Sequence, residues 1–379
     1  MLDQPASFAI LGAGLMGRLL AVSLARVGHA VQVFDRGGPE GELSAARVAA
    51  AMLAPLAESA ITEPGVVRMG QYGLTRWPEL LAPLHTPLHT PLPAPVFFQQ
   101  AGTLIVWHRQ DAADAARLSR QLERNQVAHP ELPAPQALNA AGLARTEPAL
   151  AGRFSSGLLL PGEGQLDNRQ LLAALALEMQ SLGVQVRWNT SAQPDDFSPG
   201  DAGQPDWLLD CRGLGARADW SQLRGVRGEV ARVHAPGVSL ARPTRLVHPR
   251  YPLYIAPKQD HVFVIGATEI ESEDLSPASV RSTLELLSAA YAVHPGFAEA
   301  RILEIATQCR PTLPDNLPAV RCLRPRVLEV NGLYRHGFMI APAMLDVVLE
   351  LLASGKSALA QRFDLRLELP ALDFEKDFA

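Results

Sequence analysis

The chain has 379 residues, of which 47% are hydrophobic, so it is long enough to form two domains and to fill a core in each. Its formal charge of −5 gives no sign of a strongly basic face, which argues against nucleic acid or an anionic membrane surface as the main partner. Cys211, Cys309 and Cys322 form no CxxC pair, which argues against a disulfide framework or a zinc site and favours a reducing cytoplasm.

The N-terminal residues predict a βαβ unit. Residues 8–11 and 30–35 have the apolar character of strands, and residues 15–27 between them have that of a helix. No basic residue precedes the first apolar run, and later apolar runs end well before the roughly 20 residues that span a bilayer. We therefore expect neither a signal peptide nor a membrane span.

A GxGxxG motif joins the first strand to the helix, as Gly12-Ala13-Gly14-Leu15-Met16-Gly17. In such motifs the first glycine makes the turn, the second admits a pyrophosphate, and the third lets the helix pack closely on the strand. Asp35 ends the second strand, where a carboxylate can accept hydrogen bonds from both ribose hydroxyls. The pattern predicts a dinucleotide site and disfavours NADP, but it does not separate FAD from NAD.

A short duplication, Leu-His-Thr-Pro, occupies residues 84–87 and 88–91. It places His85 and His89 four residues apart, but its prolines forbid the helix that would align them, so we expect a connection and no metal site. Residues 102–107 then predict a strand. The mixed region that follows, to about residue 147, is typical of the antiparallel sheet of a second domain.

Nucleotide-domain elements recur along the chain, so the simplest architecture is a discontinuous dinucleotide domain with a β-rich domain threaded between its pieces. The remaining predicted elements are helices at 166–182, 276–291 and 342–353, the last capped by Gly355, and strands at 184–188, 207–211, 253–257, 261–265 and 327–330.

Five segments resemble, in the same order, those of the D-amino acid oxidase (DAO) family, and the similarity is greatest to glycine oxidases of the thiazole-biosynthesis type. It covers nearly the whole chain. The segments are the GxGxxG motif, residues 49–55, Tyr254 with Gly266-Ala267-Thr268, residues 310–316 and residues 334–342.

The resemblance implies an α/β fold with a discontinuous, Rossmann-like FAD-binding domain of the glutathione-reductase type and a second α+β domain built on an antiparallel sheet. We expect residues 1–82, 150–225 and 310–379 in the FAD-binding domain, and residues 83–149 and 226–309 in the substrate-binding domain.

The resemblance also implies which residues contact FAD, held without a covalent bond. They comprise the glycine motif, the ribose acid and its neighbour, a segment near the flavin, a residue near the adenine and the backbone under the flavin ring: Gly12, Gly14, Leu15, Met16, Gly17, Asp35, Arg36, Ala50, Ala51, Met52, Ala192, Leu333, Tyr334, Arg335, His336, Gly337, Phe338 and Met339.

Three residues are implied at the substrate. Arg310 would hold the carboxylate of an amino acid through two parallel hydrogen bonds, Tyr254 would add its hydroxyl, and Arg335 would lie close to substrate and flavin. A helix beginning near Pro342 would direct its N-terminal amides at the flavin. No histidine–carboxylate pair stands out, and hydride transfer to a flavin needs none.

The implied function is oxidation of a small amino acid or amine, such as glycine, sarcosine or a small D-amino acid. Hydride would pass from the α-carbon to flavin N5, and the products would be an oxo acid, ammonia and hydrogen peroxide, with molecular oxygen as electron acceptor. A flavin dehydrogenase with another acceptor, an NAD-dependent dehydrogenase and a non-catalytic flavoprotein remain alternatives. A homo-oligomer is compatible with the sequence.

The sequence departs from the glycine-oxidase pattern at Ala51, where glycine is common, at Leu333, and at Glu269, where an apolar residue is common. A carboxylate at 269 could favour a substrate with a positive group, or it could face solvent. Related sarcosine oxidases bind flavin through a cysteine, but Cys309 is one residue out of register, and on a strand that shift reverses the side chain's face.

Overall fold

The computed structural model describes residues 4–86, 94–248 and 253–369. The expected elements near the N-terminus are confirmed to within a residue or two. The strands are β1 Ser7–Leu11, β2 Ala30–Phe34, β3 Met52–Leu53, β4 His85–Thr86, β5 Ala94–Pro95, β6 Phe98–Gln99, β7 Thr103–Trp107, β8 Gln136–Asn139, β9 Ser156–Leu160, β10 Gly164–Leu166, β11 Gln185–Arg187, β12 Trp207–Asp210, β13 Arg224–His234, β14 Thr244–Val247, β15 Leu253–Pro257, β16 Val262–Gly266, β17 Arg301–Thr312, β18 Ala319–Arg324, β19 Val327–Asn331 and β20 Arg366–Glu368.

Short 3₁₀ turns connect several of the elements, among them Gly213–Ala216 and Tyr334–His336. The α-helices are α1 Leu15–Arg26, α2 Ala45–Val48, α3 Pro55–Glu58, α4 Pro64–Leu81, α5 Ala112–Ala128, α6 Ala140–Thr146, α7 Asn168–Ser181, α8 Val280–Val293, α9 Gly337–Ser354 and α10 Ala358–Phe363.

One sheet carries the nucleotide motif. Within the described residues its order is β11-β2-β1-β12-β19-β18-β20, and the pairs from β11 to β19 are all parallel. Helix α1 contacts both α7 and α9 beside it, and the three helices contribute to its largest hydrophobic core. The strands come from widely separated parts of the chain, as the recurring nucleotide-domain elements predicted.

The second large sheet has the order β17-β13-β16-β15-β14-β7-β9-β8 in the described part of the chain. Its pairs are antiparallel except β14 with β7. The expected α/β fold with an antiparallel second sheet is therefore confirmed. The domain boundaries remain a prediction, and β9, inside the range 150–225, pairs in this second sheet.

The GxGxxG turn has the geometry that its glycines allow. Gly12 has φ +90°, and a Cβ there would lie 2.7 Å from the carbonyl oxygen of Cys211. A Cβ on Gly17 would lie 1.8 Å from the carbonyl oxygen of Gly12, so helix α1 can approach β1 only with glycine at 17.

The region after Trp107 differs from the expectation of an antiparallel sheet. It contains helices α5 and α6, and among the described residues only β8 is a strand there. The physical reason lies in its composition, since residues 112–128 are mostly Ala, Arg, Gln, Glu and Leu, which favour helices. Ala115 and Leu122, two turns apart on α5, are the buried positions of that helix.

The last long helix begins at Gly337, five residues before the expected start at Pro342. A proline inside a helix leaves the carbonyl four residues earlier without its usual donor. Here that carbonyl belongs to Phe338, and it accepts a hydrogen bond from Trp77 Nε1 at 2.8 Å. Trp77 thus compensates for Pro342, and the helix ends at Gly355 with φ +68°, as expected.

Other boundaries shift because of capping. The helix expected at 166–182 begins at Asn168, since the Asp167 carboxylate accepts from the amides of Arg169 and Gln170, both at 2.9 Å. The helix expected at 276–291 begins at Val280, where Ser279 caps it. Of the duplicated histidines, His85 lies on β4, and His89 lies outside the described residues.

The segment Tyr334–Ser354 is long and apolar enough to cross a membrane by length and composition. In the fold it is 67% buried and packs against α4 and α1. Its apolar character is accounted for by its place in the core.

The contact between α1 and the glycine turn gives the first prediction. Gly17→Ala places a methyl group against the Gly12 backbone, so the free energy of unfolding should fall by roughly 3 kcal/mol or more, at the upper end of overpacking effects. Gly237→Ala is the control, because a Cβ there meets nothing within 4 Å. Urea denaturation compares the two, and equal midpoints would refute the packing role of Gly17.

Candidate active site

A cavity of about 1180 Å³ runs between the two large sheets. It extends from the GxGxxG turn to the end of β17, and its volume is somewhat larger than the roughly 300–1,000 Å³ of pockets that enclose drug-sized ligands. All the residues predicted at the cofactor or substrate line it except Gly17, whose place is the α1–β1 contact. The predicted residues on its wall are Gly12, Gly14, Leu15, Met16, Asp35, Arg36, Ala50, Ala51, Met52, Ala192, Tyr254, Arg310, Leu333, Tyr334, Arg335, His336, Gly337, Phe338 and Met339.

The nucleotide end of the cavity is formed at the carboxyl ends of β1 and β2. Asp35 accepts hydrogen bonds there from the Ala13 amide at 2.5 Å and the Gly37 amide at 2.7 Å. Each carboxylate oxygen keeps a further lone pair, so Asp35 can still accept from ribose hydroxyls. The first turn of α1 faces the cavity and contains no acidic residue. Its backbone amides can therefore donate hydrogen bonds to an anion such as a pyrophosphate.

The substrate end is formed by the register of four antiparallel strands. Arg310 on β17 pairs with Val226 on β13, whereas Val230 on β13 pairs with Gly266 on β16, which pairs with Tyr254 on β15. Directly paired residues, and residues two apart on a strand, point to the same face. Arg310 and Tyr254 therefore share the sheet face that forms the cavity wall.

Two glycines make room for these side chains. A Cβ on Gly228 would lie 2.4 Å from Arg310 Nη2, and one on Gly266 would lie 2.6 Å from the Tyr254 hydroxyl. Glycine inside a strand often marks a place where another group approaches closely. Here the approaching groups are the guanidinium and the phenol, which lie flat across the sheet.

Arg310 makes its hydrogen bonds to backbone carbonyls. Nη1 donates to Arg227 O at 3.4 Å and Nη2 to Thr268 O at 3.1 Å. Within the described part of the chain no carboxylate forms an ion pair with it, although burial lowers its pKa from the usual value. A guanidinium desolvated without a counter-ion favours binding of an anion, and a carboxylate fits its planar fork.

Arg335, in contrast, lies between two carboxylates. Its Nη1 is 2.6 Å from Glu269 Oε2, and its Nε is 3.2 Å from Glu58 Oε2. Glu58 raises the pKa of Arg335 more than burial lowers it. The Tyr334 hydroxyl donates to the other oxygen of Glu269 at 2.7 Å. The carboxylate of Glu269 is thus paired with Arg335 and Tyr334, so it is not an unpaired negative charge at the cavity wall.

Glu58 is a site residue that the sequence analysis missed. It is 7% exposed and also pairs with Arg245 on β14, at 2.6 Å. Burial would raise its pKa, but Arg335 and Arg245 together hold the pKa well below the usual range. Glu58 and Arg245 are 187 positions apart, and no local pattern signals that they meet.

The segment from Leu333 to Met339 follows β19 and enters α9. Tyr334 has φ +49°, and burial with the bond to Glu269 raises its pKa to about 12. Burial lowers the pKa of His336 to about 4, so its imidazole is neutral at pH 7. The segment therefore presents a phenol, a neutral imidazole and a paired guanidinium.

The backbone conformation at residue 51 explains why glycine is common at this position. Ala51 has φ +52°, a left-handed conformation that is unfavourable for a residue with a Cβ. The amide of Leu166 donates to Ala51 O at 3.1 Å, and Lys258 Nζ donates to the Ala50 and Leu166 carbonyls at 2.8 and 2.7 Å. These bonds hold a strained turn on the cavity wall, and sequence analysis gave no sign of Lys258.

Cys309 lies opposite Arg227 on β17 and β13, on the sheet face that Arg310 does not use. Its Sγ is 3.7 Å from Ser272 O. The one-residue shift noted in the sequence thus turns the thiol to the other side of the sheet.

Glu163 is a second buried acid beside the site. It is 1% exposed, and its Oε1 accepts from the Ala57 amide at 2.8 Å. Burial raises its pKa to about 7, against the opposing effects of Thr103 and Arg245. The folded protein therefore retains a proton on Glu163 that the unfolded chain loses near pH 4.3.

This gives a prediction for pH-dependent stability. Since folded Glu163 has the higher pKa, its contribution is complete below about pH 4 and is lost as the pH rises towards 7. Glu163→Gln mimics the protonated form, so from pH 5 to pH 8 the variant should gain about 1–3 kcal/mol relative to the parent protein. Denaturant titrations at each pH measure this. The exposed Glu123→Gln is the control, and a pH-independent difference for Glu163→Gln would contradict the assignment.

Comparison with known proteins agrees with the geometry. The chain is 38% identical over 337 residues to the "Putative thiamine biosynthesis oxidoreductase ThiO" of Rhizobium etli, covering 89% of this chain and 93% of the relative. It is 26% identical over 374 residues to the "Glycine oxidase" of Geobacillus kaustophilus, covering 94% of each.

Solved structures share the fold. The crystal structure of glycine oxidase from Geobacillus kaustophilus aligns with a TM-score of 0.74 at 23% identity, over 100% of this chain and 98% of the other. That of iminodiacetate oxidase from Chelativorans sp. BNC1 aligns with a TM-score of 0.77 at 22% identity, over 96% and 100%. The sequence profile described as "DAO: FAD dependent oxidoreductase" matches residues 7–351. The chain therefore belongs to the DAO family of FAD-dependent oxidoreductases.

Proposed function

We propose that the chain oxidises a small amino acid or secondary amine with one carboxylate, such as glycine, sarcosine or a small D-amino acid. The observation that carries the proposal is the guanidinium of Arg310, which lies on the cavity wall with backbone carbonyls as its hydrogen-bond partners. The names of the relatives, a glycine oxidase and a ThiO oxidoreductase, point to the same substrate class.

The cofactor, FAD, supplies an acceptor for two electrons when it is bound. We propose that it is held without a covalent bond by the GxGxxG turn, Asp35 and the segments 50–52 and 333–339, with Ala192 near the adenine. The N-terminus of α9 at Gly337, rather than a helix start at Pro342, would present its amides to the flavin.

Two side chains would orient the substrate. Arg310 would bind both oxygens of its carboxylate, and the Tyr254 hydroxyl would donate to one of them. Burial raises the pKa of Tyr254 despite the nearby guanidiniums, so the phenol stays protonated and remains a donor at neutral pH. A carboxylate fixed at two points restricts the adjacent carbon to a few orientations, and this alignment is the protein's contribution to the rate.

Molecular oxygen is the proposed electron acceptor, with hydrogen peroxide, an oxo acid and ammonia or an amine as products. The cytoplasm is the proposed location, where Cys211, Cys309 and Cys322 would remain free thiols. A dehydrogenase that passes electrons to another acceptor would share this site, and peroxide formation separates the two activities.

The proposed activity is tested by anaerobic titration of the yellow protein with glycine, sarcosine, D-alanine, D-proline and a basic D-amino acid. Bleaching of the flavin by small substrates is expected, followed by peroxide release when air is admitted. Bleaching without peroxide would indicate a dehydrogenase. A flavin that none of these compounds bleaches would contradict the proposal and leave a non-catalytic flavoprotein.

The role of Arg310 is tested by Arg310→Met. Removing one partner of a buried charge pair costs about 2–5 kcal/mol, so kcat/KM should fall roughly 30-fold to several-thousand-fold while the protein still binds FAD. Gly228→Ala tests the same group without removing it, because the added methyl displaces the guanidinium and should also lower kcat/KM.

Arg301→Met is the matched control, since Arg301 lies on the same strand, is exposed and is distant from the cavity lining. Its kcat/KM should equal that of the parent enzyme. If Arg310→Met retained the parent value as well, the carboxylate would have to bind elsewhere.

A further inference from the structure

The charges at the substrate end form one connected group. Arg245 pairs with Glu58, Glu58 with Arg335, and Arg335 with Glu269, at 2.6, 3.2 and 2.6 Å. Arg310 lies beside this group, and both Arg335 and Glu269 influence its pKa. Together these residues comprise three guanidiniums and two carboxylates, so one positive charge remains for a ligand.

Glu269 is the member of the group that can most readily change its partner. Its side chain is 46% exposed, whereas that of Glu58 is 10% exposed. Glu58 is fixed by two arginines, while Glu269 contacts Arg335 and the Tyr334 hydroxyl at the cavity wall. Of the two carboxylates on Arg335, Glu269 therefore occupies the guanidinium edge that is nearer to solvent.

We propose that Glu269 sets the preference of the site for substrates with one carboxylate over substrates with two. This inference rests on the proposed function and names the residue that limits the substrate class. Glu269 neutralises Arg335 and occupies its Nη1, so Arg310 is the single anion clamp. A second substrate carboxylate would have to displace Glu269 or lie beside it. In the second case the two negative charges would repel each other.

Sarcosine and iminodiacetate form a matched substrate pair, because iminodiacetate is sarcosine with a carboxylate on its N-methyl carbon. The parent enzyme should favour sarcosine. In Glu269→Gln and Glu269→Ala, Arg335 loses the carboxylate on its Nη1 while Glu58 remains on its Nε, so the Nη1 edge becomes available to a substrate carboxylate. The ratio of kcat/KM for iminodiacetate to that for sarcosine should then rise about two- to fivefold, as expected for a partly exposed charge pair.

Glu271→Gln is the control for net charge. Glu271 is two residues away in the same loop, is 71% exposed and pairs with Arg224 outside the cavity lining. The Glu271→Gln variant loses the same charge, but no contact of Arg335 changes. Its ratio of kcat/KM for iminodiacetate to that for sarcosine should therefore equal that of the parent enzyme. A shift of equal size in Glu271→Gln would reduce the effect to net charge and overturn the proposal.

A binding measurement separates this proposal from the proposed function. Acetate and malonate carry no amine to oxidise, so calorimetry on the FAD-loaded, oxidised protein compares one carboxylate with two without turnover. Glu269→Gln should tighten malonate binding about two- to fivefold relative to acetate. An unchanged malonate-to-acetate ratio overturns the role of Glu269, whereas failure of every amine to bleach the flavin overturns the proposed oxidation alone.

Discussion

The site depends on one guanidinium whose charge the described part of the protein does not balance with a carboxylate. Arg310 lies flat across a β-sheet above Gly228 and is held by two backbone carbonyls. Desolvating a cation in this way is unfavourable unless an anion arrives to pair with it. Pairing with a carboxylate would offset this cost, so the desolvated guanidinium favours binding of that group.

The nearby Arg335 is the contrasting case, because its guanidinium is paired with carboxylates. Glu58 and Glu269 bracket it, and Glu58 is in turn fixed by Arg245. These ion pairs connect α3, β14, the loop after β16 and the segment before α9. The two arginines on the cavity wall thus differ in their electrostatics, because Arg335 is paired with carboxylates and Arg310 bonds to backbone carbonyls, a distinction that residue type alone does not make.

Local sequence predicted the parts of the structure that local rules control. The βαβ unit and the glycine turn follow from short patterns, and the residues that the family resemblance implied, Arg310, Tyr254 and the segment 333–339, line one cavity. The strained conformation of Ala51 likewise accounts for a position where glycine is common.

The errors arose where tertiary contacts override local signals. Pro342 suggested a helix start, but the Trp77 indole satisfies the carbonyl that the proline leaves free, so the helix continues through it. Glu58, Arg245 and Lys258 are partners of residues more than ninety positions away, or of backbone atoms, and nothing in their own neighbourhoods marks them. Helix α5 is a different case, because its own composition favours a helix and the strand prediction of residues 102–107 was extended too far beyond Trp107.

The most direct measurement is a crystal structure of the FAD-loaded protein with a bound carboxylate analogue of the substrate, such as glycolate. Both carboxylate oxygens are expected within hydrogen-bond distance of the Arg310 guanidinium, with the Tyr254 hydroxyl on one of them and the Arg335–Glu269 pair intact. A carboxylate bound to Arg335 in place of Glu269, with Arg310 still held only by the Arg227 and Thr268 carbonyls, would contradict this expectation.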